Sequence, residues 1–210
     1  FLEPNMKESD LPAYAVVRSV KLLNAGTKAV RDLNKKYGLN MKIACHIFSA
    51  ASLKFWLKSH VSNGLDFDIM ALSHYHAWHS LGDFKNWTEV VGFVKTKYQK
   101  DFLIMETAQL FRTGGNDAHV DILGVENIPT GYTNPPTTNT QKKYMIDFGQ
   151  ELYDAGGIGI IYWGGEWVGS KTLIFPDQYG AGSSWENKAF WDFNYNLHDG
   201  VNWMKEIVEH

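Results

Sequence analysis

The 210-residue sequence has a single cysteine, Cys45, and no apolar run that approaches the length of a membrane span. One cysteine excludes an intramolecular disulfide and a cysteine-based zinc site, and its apolar surroundings predict inert packing. An excess of either charge is also absent, with 20 Lys and Arg against 23 Asp and Glu and a net charge of −3. Nucleic-acid binding depends on clustered basic residues, so this balance argues against a nucleic-acid partner. The composition predicts a soluble globular protein that does not use a membrane.

The sequence is rich in aromatic residues and does not begin with Met. Because Phe1 comes first and no basic and apolar leader follows, we expect the chain to be processed or cut from something longer. Aromatic residues make up 14% of the sequence and include eight Trp. That many tryptophans indicate flat faces for a ligand, although large cores also use them.

Hydrophobic periodicity predicts four strands that alternate with helices. A 3.6-residue repeat that ends in Lys35, Lys36 and Gly38 predicts a long amphipathic helix over residues 11–37, with apolar positions that include Leu23 and Leu33. Short apolar runs bounded by polar residues are typical of strands buried on both faces. The alternation predicts an α/β fold of parallel βαβ units in one domain, residues 1–210. The predicted strands cover residues 41–47, 67–73, 102–105 and 159–163.

Capping boxes predict where two of the later helices begin. Asn86 followed by Glu89 opens one helix, and Thr138 followed by Gln141 opens another. A further helix carries the apolar residues between 53 and 61, and a last helix is expected over residues 198–208.

Polar and aromatic residues follow the predicted strands, where parallel α/β folds place their reactive groups. Glu106 ends an apolar run, so its carboxylate would be held rigidly, as a glycosyl nucleophile requires. A helix cap or an ion pair is the alternative role. A carboxylate framed by Tyr, His and Trp is typical of sugar recognition, because aromatic rings stack on the apolar faces of pyranoses. The residues predicted to contact the ligand are His46, Tyr75, Trp78, Trp163 and Trp167.

Several other conspicuous side chains favour structural roles. His74, His76 and His79 raise the alternative of a zinc site, but no H-E-x-x-H pattern accompanies them. Core or hydroxyl-binding histidines are therefore favoured. Trp56 and Trp87 lie on predicted helix faces and are expected in the core.

Four segments of the sequence occur in a fixed order: Asp66–His79 (DFDIMALSHYHAWH), Met105–Ala108 (META), Gly157–Trp163 (GIGIIYW) and Trp185–Phe193 (WENKAFWDF). They resemble, in the correct order, segments of the carboxyl-terminal part of family 53 glycoside hydrolases, which are endo-β-1,4-galactanases. The resemblance runs from Phe1 to about Trp203. It implies strands five to eight of a (β/α)8 TIM barrel, the carboxyl-terminal half of a retaining glycosidase, with Glu106 as the nucleophile at the end of strand seven.

Two departures from the family pattern concern its carboxylates. The family's acid/base Glu belongs to a Gly-Asn-Glu motif after strand four, and this sequence has no such motif. Residues 1–5 resemble the stretch just downstream of it, so we expect the cut to fall a few residues after that Glu. The usual Trp-Glu-Pro after strand eight is replaced by Trp163-Gly164-Gly165, with Glu166 displaced.

Some relatives hold calcium between the loops after strands seven and eight. Carboxylate and carbonyl oxygens suit calcium better than a softer metal. A solvated acidic loop is the alternative, and no organic cofactor is implied. Gly115 removes one expected carboxylate, and the other matching positions are Asp117, His119, Asp121, Ser183 and Glu186.

The resemblance implies a secreted, periplasmic or cell-surface enzyme that hydrolyses β-1,4-galactosidic linkages in galactan or arabinogalactan. Tyr75 would orient Glu106 or touch the ring oxygen, Trp163 would floor the sugar, and Trp78 and Trp167 would line the cleft. The amino-terminal half of the same barrel would supply the acid/base Glu, so we expect the chain alone to be inactive. The alternatives are a non-catalytic polysaccharide-binding module and a clan relative that acts on another β-linked glycan.

Overall fold

The computed structural model describes residues 13–117, 119–169 and 182–207. None of the helices in these ranges is long and apolar enough to cross a bilayer. Residues 1–5 and the first two residues of the helix predicted over 11–37 lie outside the described residues. The elements are α1 (Ala13–Tyr37), β1 (Ala44–Ile47), α2 (Leu53–Val61), β2 (Ile69–Ser73), α3 (Trp87–Tyr98), β3 (Asp101–Thr107), α4 (Thr138–Asp154) and β4 (Ile160–Tyr162), with short 3₁₀ helices at Ala50–Ser52, Val125–Asn127, Glu186–Lys188 and Asp199–Glu206.

The four strands form one sheet in the order β1-β2-β3-β4. In the first pair, β1 and β2 run parallel, with Ala44 opposite Ile69 and Ile47 opposite Leu72. Parallel neighbours need a crossover connection, and α2, α3 and α4 provide one between each successive pair. The predicted α/β fold of four parallel strands alternating with helices is confirmed.

The chain divides into two compact units. Unit 1 contains α1, β1, α2, β2, α3 and β3 as far as Met105. Unit 2 contains residues 75–78, the carboxyl end of β3 from Glu106, α4, β4 and the segment after it.

Unit 1 is built on an apolar core between its strands and helices. Trp56 and Trp87 are buried there, as predicted, and so is Cys45. Burial raises the pKa of the Cys45 thiol to about 11, which keeps it protonated and unreactive near neutral pH. Each large apolar side chain that is fully buried contributes roughly 1.5–3 kcal/mol. The fully buried ones in this unit are Leu53, Leu57, Phe67, Met70, Leu72, Val90, Val91, Val94, Phe102 and Ile104.

The apolar face of α1 is only partly covered. Val16 and Val20 are buried, whereas Leu23 and Leu33 are 39% and 44% exposed. The predicted helix is confirmed, and in the described part of the chain its apolar stripe is covered only in part. An amphipathic period favours a helix without specifying which neighbours cover its face.

Polar caps set the ends of two helices. The Asn86 side chain accepts a hydrogen bond from the Glu89 amide at 3.0 Å, so the predicted start of α3 is confirmed. The last predicted helix is instead a 3₁₀ helix, whose first turn is capped when His198 accepts a hydrogen bond from the Gly200 amide at 3.1 Å.

The capping box predicted for α4 is wrong by one position. The Thr140 amide donates to the Thr137 hydroxyl at 3.2 Å, and the Thr137 amide donates to the Thr140 hydroxyl at 3.0 Å. Thr138 is therefore the first helical residue and not the cap. Gln141 is not needed at the helix end, and its side chain is fully buried.

The strand that carries Glu106 is longer than its apolar run predicts. The Asp101 amide donates to the Asp68 carbonyl at 3.3 Å, and at the other end the Trp163 amide donates to the Thr107 carbonyl at 2.8 Å. Because main-chain pairing does not require apolar side chains, Glu106 lies within β3 and does not follow it. The other three strands are shorter than predicted: β1 and β2 begin three and two residues later than predicted, and β4 loses one residue at each end.

Arg31 links α1 to the start of β2 in unit 1. Its guanidinium donates to both carboxylate oxygens of Asp66, at 3.0 and 3.1 Å, and to both oxygens of Asp68, at 2.9 Å. Asp68 also accepts from the Ile43 amide at 2.8 Å, ahead of β1. The bonds from Arg31 lower the pKa of both carboxyls below the ordinary value.

Arg31→Lys should make unit 1 less stable at neutral pH and should matter less in acid. A carboxyl with a lowered folded-state pKa stabilises the fold above its unfolded-state pKa of about 4, and that contribution is lost as the pH falls through the folded-state value. The groups are partly exposed, so we expect about 1 kcal/mol or less at pH 7. Thermal unfolding at pH 7 and pH 3 measures this loss of stability. Arg18→Lys is the control, because Arg18 is exposed. An equal loss at both pH values would contradict this role.

Candidate functional site

Glu106 and Tyr75 form a hydrogen-bonded pair in unit 2. β3 carries Glu106 near its carboxyl end, and Tyr75 comes two residues after the end of β2. The Tyr75 hydroxyl donates to Glu106 Oε1 at 2.7 Å. Burial and then this hydrogen bond raise the pKa of Tyr75, so the phenol remains a proton donor. A half-buried carboxylate with one oxygen held in this way is oriented to act as a nucleophile or a base.

Aromatic side chains form a continuous group beside this pair, which we call the aromatic cluster (Tyr75, Trp78, Trp163, Trp167 and Trp185). Ring centroids are 5.2 Å apart for Tyr75 and Trp78 and 5.6 Å apart for Trp163 and Trp167. Trp185 joins the two pairs, at 5.5 Å from Tyr75 and 6.3 Å from Trp167. The sequence predictions did not include Trp185, although it opens one of the four matched segments.

A glycine turn positions the tryptophans after β4. Gly164 has a φ of +71°, a conformation that side chains with a Cβ rarely adopt. Its carbonyl accepts a hydrogen bond from the Trp167 amide at 3.1 Å, which closes the turn. The turn brings the Trp167 ring against the Trp163 ring at an angle of 66°. Glu166, inside the turn, is exposed.

The predicted histidines do not form one group. His46 lies in unit 1, where its Nε2 and the Ser73 hydroxyl are 2.8 Å apart. His74 and His79 are buried in the same unit, and His79 Nδ1 lies 3.0 Å from the Ser73 carbonyl. His76 is exposed. His74 and His79 are therefore core histidines, and the remaining predicted site residues all belong to unit 2.

Two loops of unit 2 meet through the side chains predicted to bind calcium. Asp117 accepts hydrogen bonds from the amides of His119 and Ser183, at 2.8 and 2.7 Å. Glu186 in turn accepts from the amides of Asn116 and Asp117. These bonds join residues that are about 70 positions apart, so the two loops hold one another.

Three oxygens converge beside Gly115. A Cβ at Gly115 would lie 2.8 Å from Glu186 Oε1 and 3.6 Å from both Asp121 Oδ2 and the His119 carbonyl. Across the described ranges, no three His, Cys, Asp or Glu side chains are grouped so as to hold a metal ion by themselves. A cation at this point would therefore need main-chain oxygens as well.

The two carboxylates beside Gly115 are buried and poorly paired. Burial raises the pKa of Asp121 to about 6 and also raises the pKa of Glu186. Among the described residues, neither oxygen of Asp121 accepts a hydrogen bond of regular geometry, although the Asn187 amide is near enough to oppose the rise. Glu186 Oε2 also lacks a hydrogen-bond partner in the described part of the chain. Buried carboxylate oxygens with few hydrogen-bond donors around them favour a nearby cation.

Lys188 supplies one positive charge near these carboxylates. Its side chain is fully buried, and its ammonium donates to the Asn187 side chain at 2.7 Å and the Ser184 carbonyl at 3.2 Å. The ammonium also lies 4.4 Å from the centre of the Trp185 ring. Burial lowers the pKa of Lys188 to about 8, against the opposing charges of Asp121 and Glu186. Nothing in the local sequence pattern predicts that this lysine is buried.

The Tyr162 hydroxyl is the centre of a buried polar network. It accepts hydrogen bonds from the Gln141 side-chain amide at 3.0 Å and the Gln109 amide at 3.2 Å. Its single proton is shared between two carbonyl acceptors, the oxygens of Lys188 and Gln109, at 2.7 and 3.0 Å. The Gln141 amide donates to the same two carbonyls, at 3.0 and 2.9 Å. The network ties the end of β4 to the segments that carry the aromatic cluster and the acidic loops.

The family that the sequence matches and the named relatives that it resembles agree with one another. A family model described as Glycosyl hydrolase family 53 matches residues 2–204. The arabinogalactan endo-β-1,4-galactanase of Cellvibrio japonicus is 31% identical over 176 residues, which are 83% of this chain and 45% of that protein. The endo-β-1,4-galactanase of Bacillus subtilis is 27% identical over 83% of this chain and 46% of its own length. The chain thus spans about half the length of the curated relatives it matches.

Solved structures agree with the family match. The catalytic domain of this family from Ignisphaera aggregans superimposes with a TM-score of 0.74 at 27% identity, covering 94% of this chain and 54% of that one. A fungal β-1,4-galactanase, at 15% identity and a TM-score of 0.66, covers 99% and 58% and shows the same fold. The described strands and helices therefore form part of a (β/α)8 barrel.

Gln141→Leu should destabilise unit 2, because the single Tyr162 proton can serve only one of the Gln109 and Lys188 carbonyls and the other is left without a donor. We expect a loss of about 1–3 kcal/mol in the free energy of unfolding, measured in urea. Gln150→Leu is the matched control, since Gln150 lies on the same helix and bonds Asp154 at the surface. The control should change the value by roughly 0.5 kcal/mol or less. Equal losses for the two variants would argue against the buried network.

Proposed function

The chain belongs to glycosyl hydrolase family 53, and from this premise we propose that it provides the nucleophile half of a retaining endo-β-1,4-galactanase. In this proposal the substrate is galactan or arabinogalactan, because the names of the two relatives refer to these polymers. The observation that carries this proposal is the 2.7 Å hydrogen bond from Tyr75 to Glu106 beside the aromatic cluster. Because the substrate is a polymer, we place the enzyme outside the cytoplasm, as a secreted, periplasmic or cell-surface protein.

In this proposal Glu106 attacks the anomeric carbon of the sugar. A retaining enzyme needs two carboxyl groups about 5 Å apart, one as the nucleophile and one as the acid that protonates the leaving oxygen. The Tyr75 hydroxyl holds Glu106 Oε1 and keeps its proton, so it orients the attacking group without taking part in proton transfer. When water later releases the sugar, the same hydrogen bond stabilises the departing carboxylate.

The aromatic cluster binds the sugar rings in this proposal. Trp163 and Trp167 are exposed, as is Trp78, so their faces are available for stacking on pyranose rings. Trp163 follows β4 directly and floors the reacting sugar, while Trp78 and Trp167 line the cleft. His46, an exposed side chain at the end of β1, is proposed to bind a sugar hydroxyl.

We propose that the amino-terminal half of the same barrel completes the site and supplies the acid/base Glu. The length of the relatives supports this, and so do exposed apolar side chains on the strands and helices. Ile158, just before β4, and Ile161, within it, are 51% and 48% exposed, and Phe48 after β1 is also exposed. Closed barrels cover such edges with neighbouring strands.

The chain alone should hydrolyse galactan far more slowly than the chain co-expressed with an amino-terminal half of a family 53 barrel. General acid catalysis is worth about 10²–10⁴-fold, and without it the leaving oxygen departs unprotonated. The measurement is the rate of reducing-end release from purified galactan, with an activated aryl galactoside as the substrate that needs little protonation. Full galactan hydrolysis by the chain alone would mean that one of its own carboxylates is the acid.

Glu106→Gln in the complemented enzyme should lower kcat by about 10³-fold or more with little change in ligand binding, because the carboxylate forms the covalent bond. Glu166→Gln is the matched control, since Glu166 is an exposed carboxylate in the turn after β4. A Glu106→Gln enzyme that keeps a tenth of the wild-type rate would refute the assignment. If the complemented protein without substitutions bound galactan but did not hydrolyse it, the binding-module alternative would be favoured.

We also propose a structural calcium ion at the acidic loops. The carboxylates of Asp117, Asp121 and Glu186 and the carbonyls of His119 and Ser183 would hold it, which is a set of hard oxygen donors. The buried, poorly paired oxygens of Asp121 and Glu186 support this fit. The ion would neutralise these carboxylates.

Calcium at millimolar concentration should raise the melting temperature of the chelator-treated chain. An ion that binds only the folded state stabilises it by about 2.7 kcal/mol at a hundred times its Kd. Asp121→Asn should abolish the shift, and Asp154→Asn, at an exposed carboxylate of the same unit, should keep it. If calcium does not change the melting temperature of the wild-type chain, the alternative of a solvated acidic loop stands, with Lys188 as the counter-charge of its carboxylates.

A further inference from the structure

We propose that Trp185 is a sugar-binding platform next to the reacting subsite, and that Lys188 is the positioning residue that holds its ring. The proposal rests on the galactan-hydrolysing function proposed above and names one further binding residue for it. Neither side chain was among the predicted ligand-binding residues.

Trp185 occupies the centre of the aromatic cluster. Its ring centroid lies 5.5 Å from Tyr75, 6.1 Å from Trp78 and 6.3 Å from Trp167. The rings of Trp78 and Trp167 stand at 84° and 82° to it. A flat ring with two rings perpendicular to it matches the shape of a sugar ring, whose apolar face needs a floor and whose rim needs walls.

One side chain separates Trp185 from the proposed nucleophile. The Tyr75 ring that contacts Trp185 carries the hydroxyl that donates to Glu106 at 2.7 Å. A sugar on Trp185 would therefore lie within one residue of the reacting centre. Trp185 is half-buried, so part of its ring is accessible to a ligand.

Lys188 fixes the plane of the Trp185 ring from the protein interior. Its ammonium is fully buried at 4.4 Å from the ring centre, so it packs on the buried side of the ring. Hydrogen bonds to Ser184 and Asn187 hold the ammonium in place. Burying an ammonium is costly, and the ring face and these two acceptors replace its water.

The test measures binding of linear β-1,4-galactotetraose by titration calorimetry at fixed calcium, in the Glu106→Gln form of the complemented enzyme, which should bind the ligand without cleaving it. Trp185→Leu should weaken binding about tenfold or more, and Trp185→Phe should weaken it less because a flat ring remains. Trp191→Leu, a half-buried tryptophan of unit 2 outside the aromatic cluster, is the control and should bind like the wild type. Wild-type affinity in Trp185→Leu would overturn the platform while leaving the galactanase proposal intact.

A second set of variants tests whether Lys188 positions the Trp185 ring, with sugar affinity as the measured quantity. Lys188→Met, which keeps the volume and loses the charge, should weaken binding, and Lys188→Arg, which keeps a cation against the ring, should restore it. Circular dichroism and melting temperature identify variants that are simply unfolded. Wild-type affinity in a folded Lys188→Met would overturn the positioning role. A complemented protein with Trp185 and Lys188 intact that binds none of galacto-, manno- and cello-tetraose would overturn the proposed function and this inference together. If it bound only the manno- and cello-tetraose, through Trp185, the galactan assignment alone would be overturned.

Discussion

The parallel pairing of β3 with β4 is the constraint on which the candidate site depends. The hydrogen bond from the Trp163 amide to the Thr107 carbonyl, at 2.8 Å, fixes the register of the two strands at their carboxyl ends. Side chains alternate along a strand, so a slip of one residue would turn Glu106 to the opposite face of the sheet. The Tyr162 network reinforces this register, because the hydroxyl of Tyr162, the last residue of β4, is hydrogen-bonded to the main chain of Gln109, two residues after β3. Main-chain pairing thus positions Glu106 and Trp163 relative to one another.

Among the described residues, the completely buried side chains of unit 1 are apolar, whereas unit 2 also buries polar and charged side chains completely. Unit 1 has an apolar core, and its main polar connection, from Arg31 to Asp66 and Asp68, lies near the surface. Unit 2 buries Gln141, Glu186, Asn187 and Lys188 completely. Buried polar groups are tolerated when they are hydrogen-bonded, and they specify one arrangement more sharply than apolar packing does. A site that must hold a carboxylate and several tryptophans in fixed positions benefits from such specificity.

Local patterns predicted the elements better than their ends. The 3.6-residue period predicted α1, and the apolar runs predicted four strands, because both depend on neighbours in sequence. Errors arose where a residue had two possible partners. Gln141 fits a capping box, but Thr137 and Thr140 cap one another, and Gln141 finds better acceptors in the core. Leu23 and Leu33 fit an apolar stripe, yet the period does not reveal that they are left exposed.

The sequence by itself determined the alternation of strands and helices, the position of Glu106 near a strand end and the membership of a glycosidase family. These follow from periodicity, from the polarity change after an apolar run and from four motifs in a fixed order. Only the tertiary structure decided that Tyr75 holds Glu106 across 31 positions, that Trp185 joins two pairs of aromatic rings and that Lys188 is buried against one of them. Such contacts join residues on different elements, and no local pattern encodes which distant side chain will lie beside a given one, because that depends on how all the elements pack.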